Sequence, residues 1–304
     1  MLAYAHSWQR RGLAQWLLLI LCAVWLAGCQ APAALRDGAS KIATKGQAVC
    51  DQALGFYDEL PKMADKVKHA RDIANIIADP HPEAVDPKNS SDADSYADFI
   101  KDRKAAYKAL KQVYTALGTL SAASYGDQLK QATDSVQTSY NSLKNVPGIP
   151  DDVKGIVNAA TAVIGDQIQA EQIRTHNETL SKLIIKFQSA WTADKMAMTG
   201  KITNAYDDIA TQMATLDSSK VNEQKLADVV GLPFSKPINV GIYIYQWKQQ
   251  AVADKSALLG QYDDVGTGLA ALSNAHGELA KPQPAVPLIT YWLDTGMSVI
   301  PSKK

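Results

Sequence analysis

The chain has 304 residues, 46% apolar and 20% charged, with 31 basic residues balanced by 31 acidic ones. That balance excludes the basic excess with which proteins hold a nucleic-acid backbone, and no acidic tail stands apart. Three cysteines are too few for a disulfide framework, and the length allows one elongated domain or two compact ones.

The chain opens with a targeting pattern. Arg10 and Arg11 precede an apolar run from Leu13 to Leu26, and small residues follow at Ala27 and Gly28. Charged, apolar and small regions in that order mark a secretory signal. The run is about 14 residues, short of the roughly 20 that a bilayer-spanning helix needs. Its end, Leu26-Ala27-Gly28-Cys29, resembles the lipobox of bacterial lipoprotein precursors. This resemblance covers about the first 29 residues. It implies a diacylglyceryl thioether on Cys29, cleavage between Gly28 and Cys29 by signal peptidase II, and acylation of the new amino group with chains such as palmitate. Two or three such chains anchor a protein firmly, whereas one binds only marginally. The same resemblance implies the outer membrane, facing the periplasm, because Gln30 stands where an aspartate favours inner-membrane retention in enteric-type bacteria.

Removing residues 1–28 leaves 276 residues and takes away Arg10 and Arg11 but no acid, so the mature chain carries a formal charge of −2. Cys22 leaves with the signal and lipid blocks Cys29. Cys50 then has no internal disulfide partner and reads as a small buried hydrophobe, with a redox or intermolecular role the lesser alternative. Residues 29–34 form a short lipidated tether, 35–280 a helical bundle domain, and 281–304 a Pro-rich linker with an apolar C-terminal tail.

The first bundle helix carries the clearest periodicity. Leu35, Ile42, Val49, Phe56, Met63, Ala70 and Ile77 recur every seventh residue, interleaved with Ala39, Gly46, Ala53, Leu60, Val67 and Ala74. This a/d pattern describes a helix packed along a narrow seam, and its small early layers invite close approach by a neighbour. Pro61 predicts a kink or division there. Asp79 to Asp92 reads as an exposed loop, with prolines flanking His81.

A second helix is expected from about Ala93 to Asn145, with Tyr96, Ile100, Tyr107, Leu110, Tyr114 and Leu117 as its first stripe. Its tyrosines read as amphipathic core, although a binding row shares the same spacing. A second stripe runs from Leu129 to Leu143. The turn at Pro147-Gly148-Ile149-Pro150 and the cap at Asp151-Asp152 lead into a third helix reaching Leu216. Its interval Arg174, His176 and Glu178 reads as solvated rather than as a buried polar layer. A short helix through Val230 follows.

The stretch from Gly231 to Trp247 differs from the rest. Gly231, Pro233, Pro237 and Gly241 oppose a helix, and Val240 to Tyr245 is β-favouring. A small β-hairpin or irregular insert is expected near residues 231–245. Phe234, Ile242, Tyr243, Ile244, Tyr245 and Trp247 are its candidate contacts with a membrane or partner, packing on the bundle tip being the plainer role. The last long helix spans about Gln246 to Ala280. His276 lies in its seam and reads as a satisfied or edge histidine, not a ligand. Leu288 to Ile300 is an apolar tail expected to dock back.

No phosphate-binding Gly-rich loop with lysine, Gly-x-Ser-x-Gly, His-Glu-x-x-His or paired Glu-x-x-His occurs, so no catalytic, cofactor-binding or metal site is expected. The fold expected is all-α: an elongated antiparallel bundle of about four long helices. The leading functional reading is a non-enzymatic envelope scaffold or adaptor, held to the membrane through Cys29 and engaging a protein partner, without nucleic acid or metal. The alternative is a membrane-active protein, since an apolar tongue in a long bundle is similar to α-helical pore-forming toxins and residues 229–247 are the one candidate tongue. Capture of a small molecule inside the bundle is a third class, and it requires a sizeable internal pocket.

Overall fold

The computed structural model describes residues 5–78, 90–123, 169–215 and 240–296, together with Gln131, Ser135 and Thr138. Among these residues there are five helices and no strand: α1 (Ala5–Ala78), α2 (Ser90–Ala122), α3 (Gln169–Thr215), α4 (Val240–Leu279) and α5 (Val286–Thr295). The all-α expectation holds. The loop around His81, the stripe Leu129–Leu143, the turn at Pro147–Pro150, residues 153–168, the short helix before Val230 and Phe234 lie outside the described residues.

The a/d seam of α1 is the axis of the molecule. Leu35, Ala39, Ile42, Val49, Ala53, Phe56, Leu60, Met63 and Ala70 are all buried. Pro61 lies within α1 and does not divide it. Its side chain faces solvent, where water can satisfy the carbonyl its ring displaces. Helical backbone also runs through residues 29–34, so the expected tether continues directly into the bundle.

Side-chain pairs define the topology. Lys104 bonds Asp58 and Lys111 bonds Asp51 at 2.6 Å, so α2 runs antiparallel to α1. The Phe56 ring packs on Trp191 and Arg71 pairs with Asp208 at 3.3 Å, so α3 runs parallel to α1. Lys66 bonds Asp254, while a β-carbon on Gly268 would lie 2.8 Å from Val49 and one on Gly38 2.8 Å from Leu279, so α4 descends again. The result is an alternating up-down bundle. Each surface ion pair contributes at most about 1 kcal/mol, so these contacts report register more than stability.

The described part of the apolar tail, through Gly296, docks as expected. Pro287 falls in the first turn of α5, where its missing N–H costs nothing. Ile289 and Leu293, one turn apart, are buried against α1 and α4. The Glu278 carboxylate accepts from Lys281 and from the Ala285 amide at 3.2 Å, bracing the linker. These bonds, the Lys281 one first, hold Glu278 below the usual carboxylate range.

One expectation is corrected. Val240 to Tyr245, read as hairpin or irregular insert, forms the first turns of α4. Strand propensity is weak and context-dependent. Ile244, Trp247 and Ala251 recur at helical spacing and pack on the core, which favours helix there.

Glycines test the seam. A β-carbon on Gly46 would overlap the Tyr114 ring, whereas one on Gly55 meets nothing within 4 Å. Gly46→Ala is expected to destabilise by about 1–3 kcal/mol through overpacking. Gly55→Ala is expected to stabilise by up to about 1 kcal/mol through helix propensity. Urea denaturation of both variants reads the contrast.

Candidate functional site

Three regions of the bundle carry chemistry or exposed apolar surface: a central polar cluster, an aromatic layer above it, and the bundle end where α4 begins. Among the described residues no group of three His, Cys, Asp or Glu side chains converges as a metal site, and no helix is long and apolar enough to cross a membrane.

The central cluster joins three helices. The Asn177 amide nitrogen on α3 donates to the His276 carbonyl on α4 at 3.0 Å, which turns Asn177 Oδ1 toward His276 Nδ1 at 2.7 Å. That oxygen only accepts, so Nδ1 carries the proton. Nε2 then accepts from the Tyr114 hydroxyl on α2 at 3.1 Å. His276 and Asn177 are wholly buried, so the imidazole is held neutral and oriented without access to a substrate. Burial pushes His276 down to about 3, and His176 beside the cluster down to about 4. His276 is therefore a satisfied core histidine, as its seam position suggests. The solvated reading of Arg174, His176 and Glu178 is corrected. Glu178 is exposed and Arg174 intermediate, but Gln172, His176, Asn177 and Thr179 are buried. The polar interval faces a polar position on the antiparallel partner, and each supplies the other's hydrogen bonds.

The aromatic layer locks α3 to α4. Trp191 Nε1 donates to the Tyr262 carbonyl at 3.1 Å, and the Tyr262 hydroxyl donates back to the Trp191 carbonyl. Their rings stack at 4.4 Å, with Phe56, Tyr57 and Tyr107 packed edge-on around Trp191. Tyr107 and Tyr114 are thus core, and Tyr96, half-buried, stacks on Phe99. Cys50 is a free buried thiol, and burial raises its pKa. Three aspartates serve as bundle ties: Asp207 bonds Lys255 at 2.7 Å, Asp208 pairs with Arg71, and Asp263 bonds Lys195 at 2.9 Å.

The third region contains most of the contact residues expected from sequence. Ile242 is 52% exposed, Tyr245 63% and Val252 55%. They fall within about 80° of arc on an α-helix of 3.6 residues per turn, so they form one outward stripe. Tyr243, Ile244 and Trp247 are intermediate in exposure, and Ile244 and Trp247 pack on the core. Because α4 is antiparallel to α1, Trp247 sits beside Ala70 and Ile73, far from Leu35 and Gly38. The rise of α1 from Leu35 to Ala70 is about 50 Å. Beneath the stripe, α1, α3 and α4 line a cavity of about 250 Å³ that opens to the surface and that no single stretch of sequence announces. Its only sequence signal is the fall to alanine at Ala70 and Ala251. The side chain of Cys29 lies outside the described residues.

No protein-family model, curated protein or solved structure matches the chain.

The two buried histidines give stability a pH dependence of definite sign. Both fall from the usual 6.5, to about 3 and about 4. Below pH 6.5 the unfolded chain takes up protons that the native state refuses, so stability is full above that pH and falls on acidification. The expected loss approaches about 1.4 kcal/mol per pH unit for each histidine. Urea midpoints at pH 7 and pH 5 measure it, and His276→Gln is expected to flatten the slope.

Proposed function

We propose that this chain is a non-enzymatic adaptor of the bacterial envelope, anchored by lipid on Cys29 and presenting the far end of its bundle to a protein partner. The outer membrane, with the bundle facing the periplasm, is the address that Gln30 favours. One observation carries the reading. The exposed stripe Ile242, Tyr245 and Val252 lies at the end of the bundle opposite Leu35, six residues after Cys29. An anchor at one end of a rigid bundle and an apolar face at the other suits bridging over about 50 Å. An outward apolar stripe on a surface helix is surface that a partner can cover.

The central polar cluster supports the non-enzymatic part. Its histidine has both ring nitrogens satisfied by Tyr114 and Asn177 and lies out of reach of solvent. The membrane-active alternative gains nothing from the geometry. The described part of residues 229–247 forms the first turns of α4, at the end opposite Leu35 and Gly38.

Photo-crosslinking in the native envelope tests the reading. A photoreactive residue at Tyr245 or Val252 is expected to give one discrete protein adduct. The same residue at Met196, also exposed but mid-bundle, is expected to give none. Cys29→Ser is expected to abolish acyl labelling and release the chain from the membrane fraction. Absence of adducts at both α4 positions, or adducts only to lipid, contradicts the adaptor role.

A further inference from the structure

The lower seam is filled by large side chains: Phe56 packs on Trp191 and Tyr262, and Leu60, Met63 and Leu258 belong to the same buried core. Two turns further along, the inward positions fall to Ala70 on α1 and Ala251 on α4. The space these alanines leave is the cavity of about 250 Å³, walled by Ile73, Ile209, Met213 and Trp247. It exceeds the roughly 150 Å³ at which an apolar protein cavity already takes up benzene.

Shape and charge narrow the occupant. Each helix contributes an eight-residue span, Lys66–Ile73, Tyr206–Met213 and Trp247–Asp254. Such a span rises about 10 Å, so the cavity is a slot with a mean section of about 25 Å², the width of one extended hydrocarbon chain. Charges around the mouth cancel in pairs: Lys66 with Asp254, Lys255 with Asp207, and Arg71 with Asp208. Gln250 adds a bond to Asp254 at 2.7 Å. His69 also lines the slot and is exposed. With its cations already matched, the mouth offers no net attraction to a free carboxylate or phosphate.

We propose that this slot binds the single alkyl or acyl chain of a neutral amphiphile, its polar end at the Gln250 and Lys66–Asp254 mouth. The site is independent of the adaptor reading, since it lies within the bundle and needs neither Cys29 nor the outward stripe.

The test uses the full chain and a neutral alkyl alcohol bearing a diazirine, with the photolabel mapped by peptide mass spectrometry. Labelling is expected to saturate, to concentrate in residues 206–213 and 247–254, and to be displaced by excess 1-octanol. Excess octanoate or octylammonium is expected to displace it at least tenfold less effectively. Ala251→Leu and Ala70→Leu, which fill the slot, are expected to cut labelling at least tenfold while keeping helicity by circular dichroism; Met196→Ser is expected to leave it unchanged. Labelling spread evenly along the chain, or not displaced by 1-octanol in the unaltered protein, overturns the proposal. So does labelling that persists in folded slot-filling variants.

Discussion

At Gly46 the chain has no side chain, and the Tyr114 ring occupies the space. That ring carries its hydroxyl to His276, whose other nitrogen faces Asn177. One close approach on α1 therefore sets α2 against α3 and α4 as well. Sliding α2, α3 or α4 by a turn would strand a buried hydroxyl, amide or imidazole, each costing about 1–3 kcal/mol, and sliding α1 would drive a side chain into the Tyr114 ring. Apolar layers alone tolerate such slips, because one aliphatic layer resembles the next. The polar cluster is what makes a single alignment preferable.

Other interactions reinforce that alignment. The reciprocal bonds between Trp191 and Tyr262 bind α3 to α4 further along the seam, and the surrounding aromatic rings fill it where α1, α2 and α3 converge. Lys–Asp and Arg–Asp pairs cross the helix interfaces at their wet edges. They are individually weak in water, but their register agrees with the buried cluster. Agreement between independent levels of interaction marks a sequence committed to one structure.

Much of this architecture is legible in the sequence. The seven-residue repeat from Leu35 to Ala70 is regular enough to identify α1 and its buried face, and the tyrosines of α2 sit at core spacing. The tail around Ile289 and Leu293 is apolar enough to require a partner surface. What the sequence conceals is relational. His276 and Asn177 are 99 residues apart, and each alone is a polar residue on an apolar helix. Only the antiparallel pairing of α3 with α4 makes each the other's hydrogen-bond partner, so a reading by segment takes the α3 interval for a solvated face. Val240 to Tyr245 misleads in another way. Its β-favouring residues and Gly241 argue against helix locally, yet the inward spacing of Ile244, Trp247 and Ala251 prevails once α1 and α3 supply a surface to bury them. The slot is hidden because two alanines on different helices become a cavity only when they face each other.

The topology gives the lipobox resemblance a direction. Anchorage at Cys29 would hold the Leu35 end of the bundle at the membrane, while the start of α4, its outward stripe and its slot stand off at the opposite end. The adaptor reading depends on that separation. Spin labels at Ser40→Cys and Tyr245→Cys measure it directly by pulsed dipolar spectroscopy. The rise of α1 between the levels of those two sites predicts a distance centred near 50 Å. A distribution centred below about 30 Å, within reach of half that rise, would place both labels at one end and contradict the account.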